Sequence, residues 1–107
     1  MLAVSMSKGE GFWLLQDGSP DERWVLKEVF LSRGFILEGP DGHTVSVGES
    51  EETNDDEIEI VDDVWVSDGH RHIVGRARVV FNAPQSITIL RDELYVERKK
   101  QEAAHVA

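Results

Sequence analysis

No cysteine occurs in these 107 residues, so neither a disulfide nor a thiolate-held metal can stabilise the fold. The 3 prolines, at positions 20, 40 and 84, all fall between apolar runs and mark breaks rather than the interior of an element. No run is long enough to span a bilayer, and the N-terminus lacks a basic-then-apolar leader, so a cytoplasmic chain without a membrane partner is expected. Basic residues are scarce: 11 Lys and Arg face 21 Asp and Glu, a net charge of −10. Such a balance repels phosphate overall. The deficit is uneven, however, because residues 17–63 hold 15 of the acids and only 3 of the bases, leaving 6 acids and 8 bases elsewhere.

The length fits one domain, residues 1–107. Leu2, Val4 and Met6 alternate with Ala3 and Ser5, the pattern of a half-buried strand, and a turn at Lys8-Gly9-Glu10-Gly11 leads to a second apolar strand from Phe12 to Leu15. Ser19-Pro20-Asp21-Glu22 has the form of a helix N-terminus with a capping box, and Val25, Leu26, Val29 and Phe30 follow at helical spacing. This predicts a helix over 20–32. The β-branched and aromatic content of the same stretch (Trp24, Val25, Val29, Phe30) leaves a strand open as the alternative. A hairpin is predicted over 35–47 around Gly39-Pro40-Asp41-Gly42, then an acidic loop over 48–57 that lacks the ligand spacing of a calcium site. Residues 58–66 read as a strand interrupted at Asp62-Asp63, and 72–81 as a long strand with a bulge at Gly75.

Residues 82–95, Asn-Ala-Pro-Gln-Ser-Ile-Thr-Ile-Leu-Arg-Asp-Glu-Leu-Tyr, organise the rest. Pro84 interrupts ladder pairing, a short strand follows, and Asp92 and Glu93 then open a helix whose later turns carry Arg98, Lys99 and Lys100, a polarity that suits the helix dipole. This stretch resembles the end of the carbon storage regulator (CsrA/RsmA) family of dimeric RNA-binding translational repressors, with weaker support from Met1-Leu2 and Gly9-Glu10. The resemblance covers residues 1–15 and 62–99 and makes 17–61 an insertion, like that of the longer RsmN-type members. It implies a mostly β fold: a small five-stranded antiparallel sheet unit with a C-terminal helix, intertwined as a homodimer, plus the inserted helix and hairpin. Without the insertion roughly 65 residues would remain, a size at which oligomerisation commonly completes the core.

The resemblance further implies recognition of GGA-containing hairpin loops in mRNA leaders or small RNAs, read chiefly by strand-edge backbone groups. The matching positions are Ala3, Val4, Ser5 and the nearby base Lys8, with Ala83, Pro84, Ile87, Ile89 and Arg91. Arg91 carries the planar fork suited to phosphate or base oxygens; its alternative is a surface ion pair. Family members place two arginines where this chain has Met6 and Ser7, so Arg71, Arg76, Arg78 or Lys8 must compensate, or RNA is no longer the ligand. The second hypothesis is therefore an acidic module of the same fold that engages a basic protein, or another family member, with weak or lost RNA binding.

Other chemistry finds little support. His70 and His72 share one side of an extended segment without a placed third ligand beyond His43, and fit surface histidines better than a metal site. No G-x-S-x-G, H-E-x-x-H or phosphate-loop motif occurs, so the chain reads as a non-enzyme with no cofactor. Trp13, Trp24 and Trp65 offer stacking surfaces but lie within apolar patterns, which favours core burial.

Overall fold

Period-2 alternation of apolar residues recurs along most of the chain, and in the computed structural model nine strands and one α-helix occur among the described residues. The structure describes residues 1–30, 34–48, 57–70 and 73–105. The strands are β1 (Leu2–Ser7), β2 (Gly11–Gln16), β3 (Glu22–Val29), β4 (Phe35–Glu38), β5 (Thr44–Val47), β6 (Glu57–Val61), β7 (Val64–Asp68), β8 (Arg76–Asn82) and β9 (Ile87–Arg91), followed by α1 (Asp92–His105). They form two antiparallel sheets, one of four strands in the order β1-β8-β7-β6 and one of five in the order β5-β4-β3-β2-β9.

The inner faces of both sheets share one core. Val4, Met6, Val64, Val66, Ala77, Val79 and Phe81 from the four-stranded sheet meet Phe12, Leu14, Trp24, Leu26, Phe35, Leu37, Val45, Val47 and Ile87 from the other. Phe12 and Phe81 cross the interface edge to face, with ring centroids 4.8 Å apart. Among the described residues no helix is long and apolar enough to cross a membrane.

The helix predicted over 20–32 is not formed: its described part contains β3, a central strand between β2 and β4. Trp24 and Leu26 point into the core while Arg23 and Lys27 are exposed, so period 2 prevails over period 3.6. Stiff Trp24, Val25 and Val29 side chains suit a pleated surface, and two flanking strands hydrogen-bond the backbone that a helix would otherwise have to satisfy. The sequence that resembles a cap follows a turn instead: Asp17-Gly18 reverse the chain, with Ser19 N–H donating to the Gln16 carbonyl at 3.1 Å and Gly18 at φ 81°, and Pro20-Asp21 lead into β3. Residues 17–61, expected to be an insertion, contribute strands to both sheets. Through β3, β4 and β5 they supply most of the larger sheet, and β6 completes the smaller one.

The hairpin over 35–47 joins β4 and β5 through a turn at Pro40–Gly42. Asp62 and Asp63 do not merely interrupt a strand. They reverse the chain between β6 and β7 with φ of 42° and 66°, the left-handed pair that a two-residue hairpin turn requires. β8 begins at Arg76 rather than 72, because Gly75, at φ 75°, closes a turn in which Arg76 N–H donates to the Ile73 carbonyl at 2.8 Å. Residues 49–56 of the acidic loop, and Arg71 and His72, lie outside the described residues.

The sheets are also tied by one buried acid. Asp68, on β7, accepts the Gly34 N–H at the entrance to β4 at 2.7 Å through Oδ2 and the His70 N–H at 2.8 Å through Oδ1. Gly48 passes so close to Gly34 that a Cβ there would lie 2.5 Å from the Gly34 Cα. Asp68→Ala leaves buried backbone donors without their acceptor and is expected to lower unfolding free energy by about 1–3 kcal/mol. Urea denaturation measures this, and Asp68→Asn, which keeps one carbonyl acceptor, should fall between the two.

Candidate nucleic-acid interface

β1 and β9 are edge strands of different sheets that pack on one core, and the Arg91 side chain and a cleft lined from both connect them. On β9 the residues Ile87, Ile89 and Arg91 share the face that pairs with Gln16, Leu14 and Phe12, so Arg91 ends a row directed at the opposite sheet. Its guanidinium therefore reaches β1, where Nη2 donates to the Ser5 carbonyl at 3.1 Å. Arg76, across the ladder on β8, approaches the same residue, with Nη2 3.5 Å from the Ser5 carbonyl and Nε 3.4 Å from its hydroxyl. Two cations thus converge on one backbone oxygen.

Acids restrain this cluster. Arg91 Nη2 lies 3.1 Å from Glu10 Oε2, and Nε lies 3.4 Å from Glu93 Oε1. Burial works to raise the Glu10 carboxyl, but hydrogen bonds from Arg91 and Ser7 outweigh it and hold the group below the usual carboxylate value. Immediately beyond, Asp92 opens α1. It receives Arg23 through Nε at 3.1 Å and Nη2 at 2.8 Å, and the Trp13 indole N–H at 3.0 Å. The Arg23 hydrogen bond holds the Asp92 carboxyl below its usual value against an opposing effect of burial. Gly11 is required here, since a Cβ would lie 2.9 Å from Arg23 Nη2 and 3.0 Å from Asp92 Oδ2. Tyr95 stacks on Trp13 at 3.9 Å and donates to Asp21 at 2.8 Å, so the first turns of the helix are fixed to the five-stranded sheet just after Arg91.

At the other end of the β1 and β9 seam, Met1 and Leu2 line a cleft of about 240 Å³ with Phe81, Ala83, Pro84, Gln85, Ile87 and Ile89. Ala3 and Ser5 face outward and line a second cleft, of about 380 Å³, with Ile73 and Arg78. Of the residues singled out in the sequence, Ala83, Pro84, Ile87, Ile89, Arg91, Ala3 and Ser5 are gathered along this seam. Val4 is not available as a side chain, being buried in the core. Lys8 pairs with Glu28 at 3.3 Å instead of joining Arg91. Met6, at one of the two positions where arginine was expected from the resemblance, is fully buried, so a charged side chain would not be accommodated there.

Sequence reasoning missed Glu10 and assigned Trp65 to the core. Glu10 lies 81 residues from Arg91, and only the fold brings the two together. Trp65 is not core: it stands on the outer face of β7 with 38% of its surface exposed, between buried Val64 and Val66, and the alternation of that strand was the available signal. Trp24 is buried and Trp13 half-buried.

No family model matches the chain, and neither a curated protein nor a solved structure matches it.

Because Glu10 and Asp92 have depressed folded values, their contribution to stability is complete above the unfolded carboxylate range of about 4 and is lost as pH falls through the folded values. Urea midpoints measured from pH 7 down to pH 2 should decline on this acid limb. Asp92→Asn should lower stability at pH 7 and flatten the limb; an unchanged slope would show that the Arg23 to Asp92 pair is not what titrates.

Proposed function

We propose that this chain is an RNA-binding post-transcriptional regulator that binds GGA-containing hairpin loops in mRNA leaders or small RNAs, acting in the cytoplasm as a homodimer. The observation that carries the reading is the seam at Ser5 and Arg91, where the open edges of both sheets meet under a guanidinium fork 3.1 Å from a backbone carbonyl. Exposed edges offer unpaired N–H and C=O groups that read guanine edges in an unpaired loop, and Arg91 and Arg76 supply phosphate partners. The two segments meet within a single chain, so the seam does not depend on exchange of the opening strand between subunits. Dimerisation belongs to the reading through the family resemblance alone, since β3, β4 and β5 give the single chain the core that a shorter one would lack.

A second reading is favoured by the carboxylates on Arg91. Glu10 and Glu93 occupy the guanidinium, and a chain of net charge −10 suits a basic protein surface better than a polyanion. In that reading the fold is an acidic interaction or antagonist module that has lost RNA affinity and pairs with a basic protein or a related regulator.

Titration of a GGA-loop hairpin RNA, with a CCA-loop control, at two salt concentrations separates these readings. Selective binding that Arg91→Ala weakens about tenfold, with a salt slope smaller by about 0.7, supports the first. Equal binding of the two loops, or no effect of Arg91→Ala, overturns it. No binding by the wild type, together with a mixed dimer formed with a related regulator, supports the second. Light scattering of the chain alone reads the homodimer directly.

A further inference from the structure

Helix α1 packs against β2 and β9 of the five-stranded sheet, whereas the outward residues of the four-stranded sheet remain exposed or half-exposed. By the pleat, Ala3 and Ser5 of β1, Arg76, Arg78, Val80 and Asn82 of β8, and Trp65 and Ser67 of β7 share this face. Trp65 pairs across the ladder with Asn82, Ser67 with Val80, and Ser5 with Arg78. The face is therefore continuous with the Arg91 seam through Ser5.

Its charges differ from the rest of the surface. Lys8, Arg23, Lys27, Arg91, Arg98 and Lys99 each lie within ion-pair distance of a carboxylate. Among the described residues, Arg76, Arg78 and Lys100 do not; Lys100 is carried by helix α1, whereas Arg76 and Arg78 share one strand face, where Arg76 hydrogen-bonds the uncharged Ser5 and Arg78 lines the open cleft with Ala3, Ser5 and Ile73. In a chain with nearly twice as many acids as bases, two guanidiniums left without carboxylates on one strand face, with an exposed indole farther along the same face, are a binding arrangement rather than a balanced surface. Among the described residues the acid on this face is on β6, where Glu57 is the ladder partner of Ser67 and accepts Asn82 Nδ2 at 3.0 Å, and Glu59 is the ladder partner of Trp65, so the indole stands at the border between the cationic strand and the acidic edge.

We propose that this face is a stacking platform for single-stranded RNA flanking the loop held at Ser5 and Arg91, with Trp65 taking a base and Arg76 and Arg78 holding phosphates along β8. The proposal deepens the RNA-binding reading and rests on it. The strand spacing places Arg76 and Arg78 about 7 Å apart, with Trp65 roughly two such steps beyond Arg78 along the face. An extended oligonucleotide matches this layout, because each nucleotide presents one charge and one π surface. An acidic peptide would satisfy the guanidiniums but leave the indole without a partner.

The test uses the full chain and two RNAs, a GGA-loop hairpin with blunt ends and the same hairpin with an unpaired extension. The extension should tighten binding to the wild type about fivefold or more, as expected for one added base stack. Trp65→Ala should abolish that gain while leaving affinity for the blunt hairpin unchanged, Trp65→Phe should retain most of it, Arg78→Gln should reduce the gain, and Arg91→Ala should weaken both RNAs while preserving their ratio. A gain that survives Trp65→Ala in a protein with unaltered circular dichroism overturns the platform, as does the absence of any gain. Quenching of tryptophan fluorescence by a single-stranded oligonucleotide lacking GGA, lost in Trp65→Phe, would support the platform even where the blunt hairpin fails to bind, so the two readings fail separately. Equal displacement of RNA by polyglutamate and by unlabelled oligonucleotide would show a general anion patch and overturn it.

Discussion

Phe12 against Phe81 fixes how the two sheets lie on each other, and the geometry of the seam follows from it. Each ring comes from a different sheet and each is fully buried, so the layers cannot slide without opening the core at its largest side chains. Register then does the rest. Phe12 is the ladder partner of Arg91, and Phe81 is the partner of Leu2, so the same contact that locks the layers sets the end of β9 opposite β1. Arg91 reaches a carbonyl on the other sheet because of that apolar packing, not because of any attraction between the strands that carry them.

Much of the local structure could be read from residue order. The alternation of Val4 and Met6, the strand after Pro84 and the helix opened by Asp92 and Glu93 each rest on neighbours in the chain. The stretch over 20–32 could not be settled in the same way, because Ser-Pro-Asp-Glu can begin a helix or, after a turn at Asp17-Gly18, lead into a strand. What decided it was the presence of β2 and β4 on either side, which no local window contains. The consequence reaches beyond that stretch, because as strands rather than a helix these residues complete a second layer and share its core. The same limit hid Glu10 beside Arg91 and Arg23 beside Asp92, pairs separated by 81 and 69 residues. Trp65 was misplaced for a different reason. An aromatic between two buried valines belongs, by period 2, to the opposite face, and its apolar character outweighed its position.

The helix and the seam are coupled through adjacent residues. Arg91 ends β9 and Asp92 begins α1, so the first is drawn toward β1 while the second is held by Arg23 and Trp13 on the other side of the same sheet. A carboxylate at a helix N-terminus is favourable in its own right, and here it also receives a guanidinium and an indole N–H. The backbone between the two residues has little freedom left, which pre-organises the Arg91 side chain and reduces the entropy lost when it takes a ligand.

The carboxylates on Arg91 do not by themselves decide whether it can serve a phosphate. The side chains of Arg91 and Glu10 remain 34% and 40% exposed, and ion pairs so open to water contribute about 0–1 kcal/mol, a small cost to exchange. The remaining acid acts over distance, and at physiological ionic strength a screening length of about 8 Å confines most of it to its own neighbourhood. Of the acid in residues 17–63, Glu57 and Glu59 share the four-stranded sheet with Arg76 and Arg78, separated from them by β7, about 10 Å at the usual strand spacing. What the excess acid does affect is encounter, since a net charge of −10 opposes the approach of a polyanion from afar. A ligand suited to this molecule is therefore one recognised by close contacts on a small cationic face, with backbone groups and an aromatic surface contributing alongside charge.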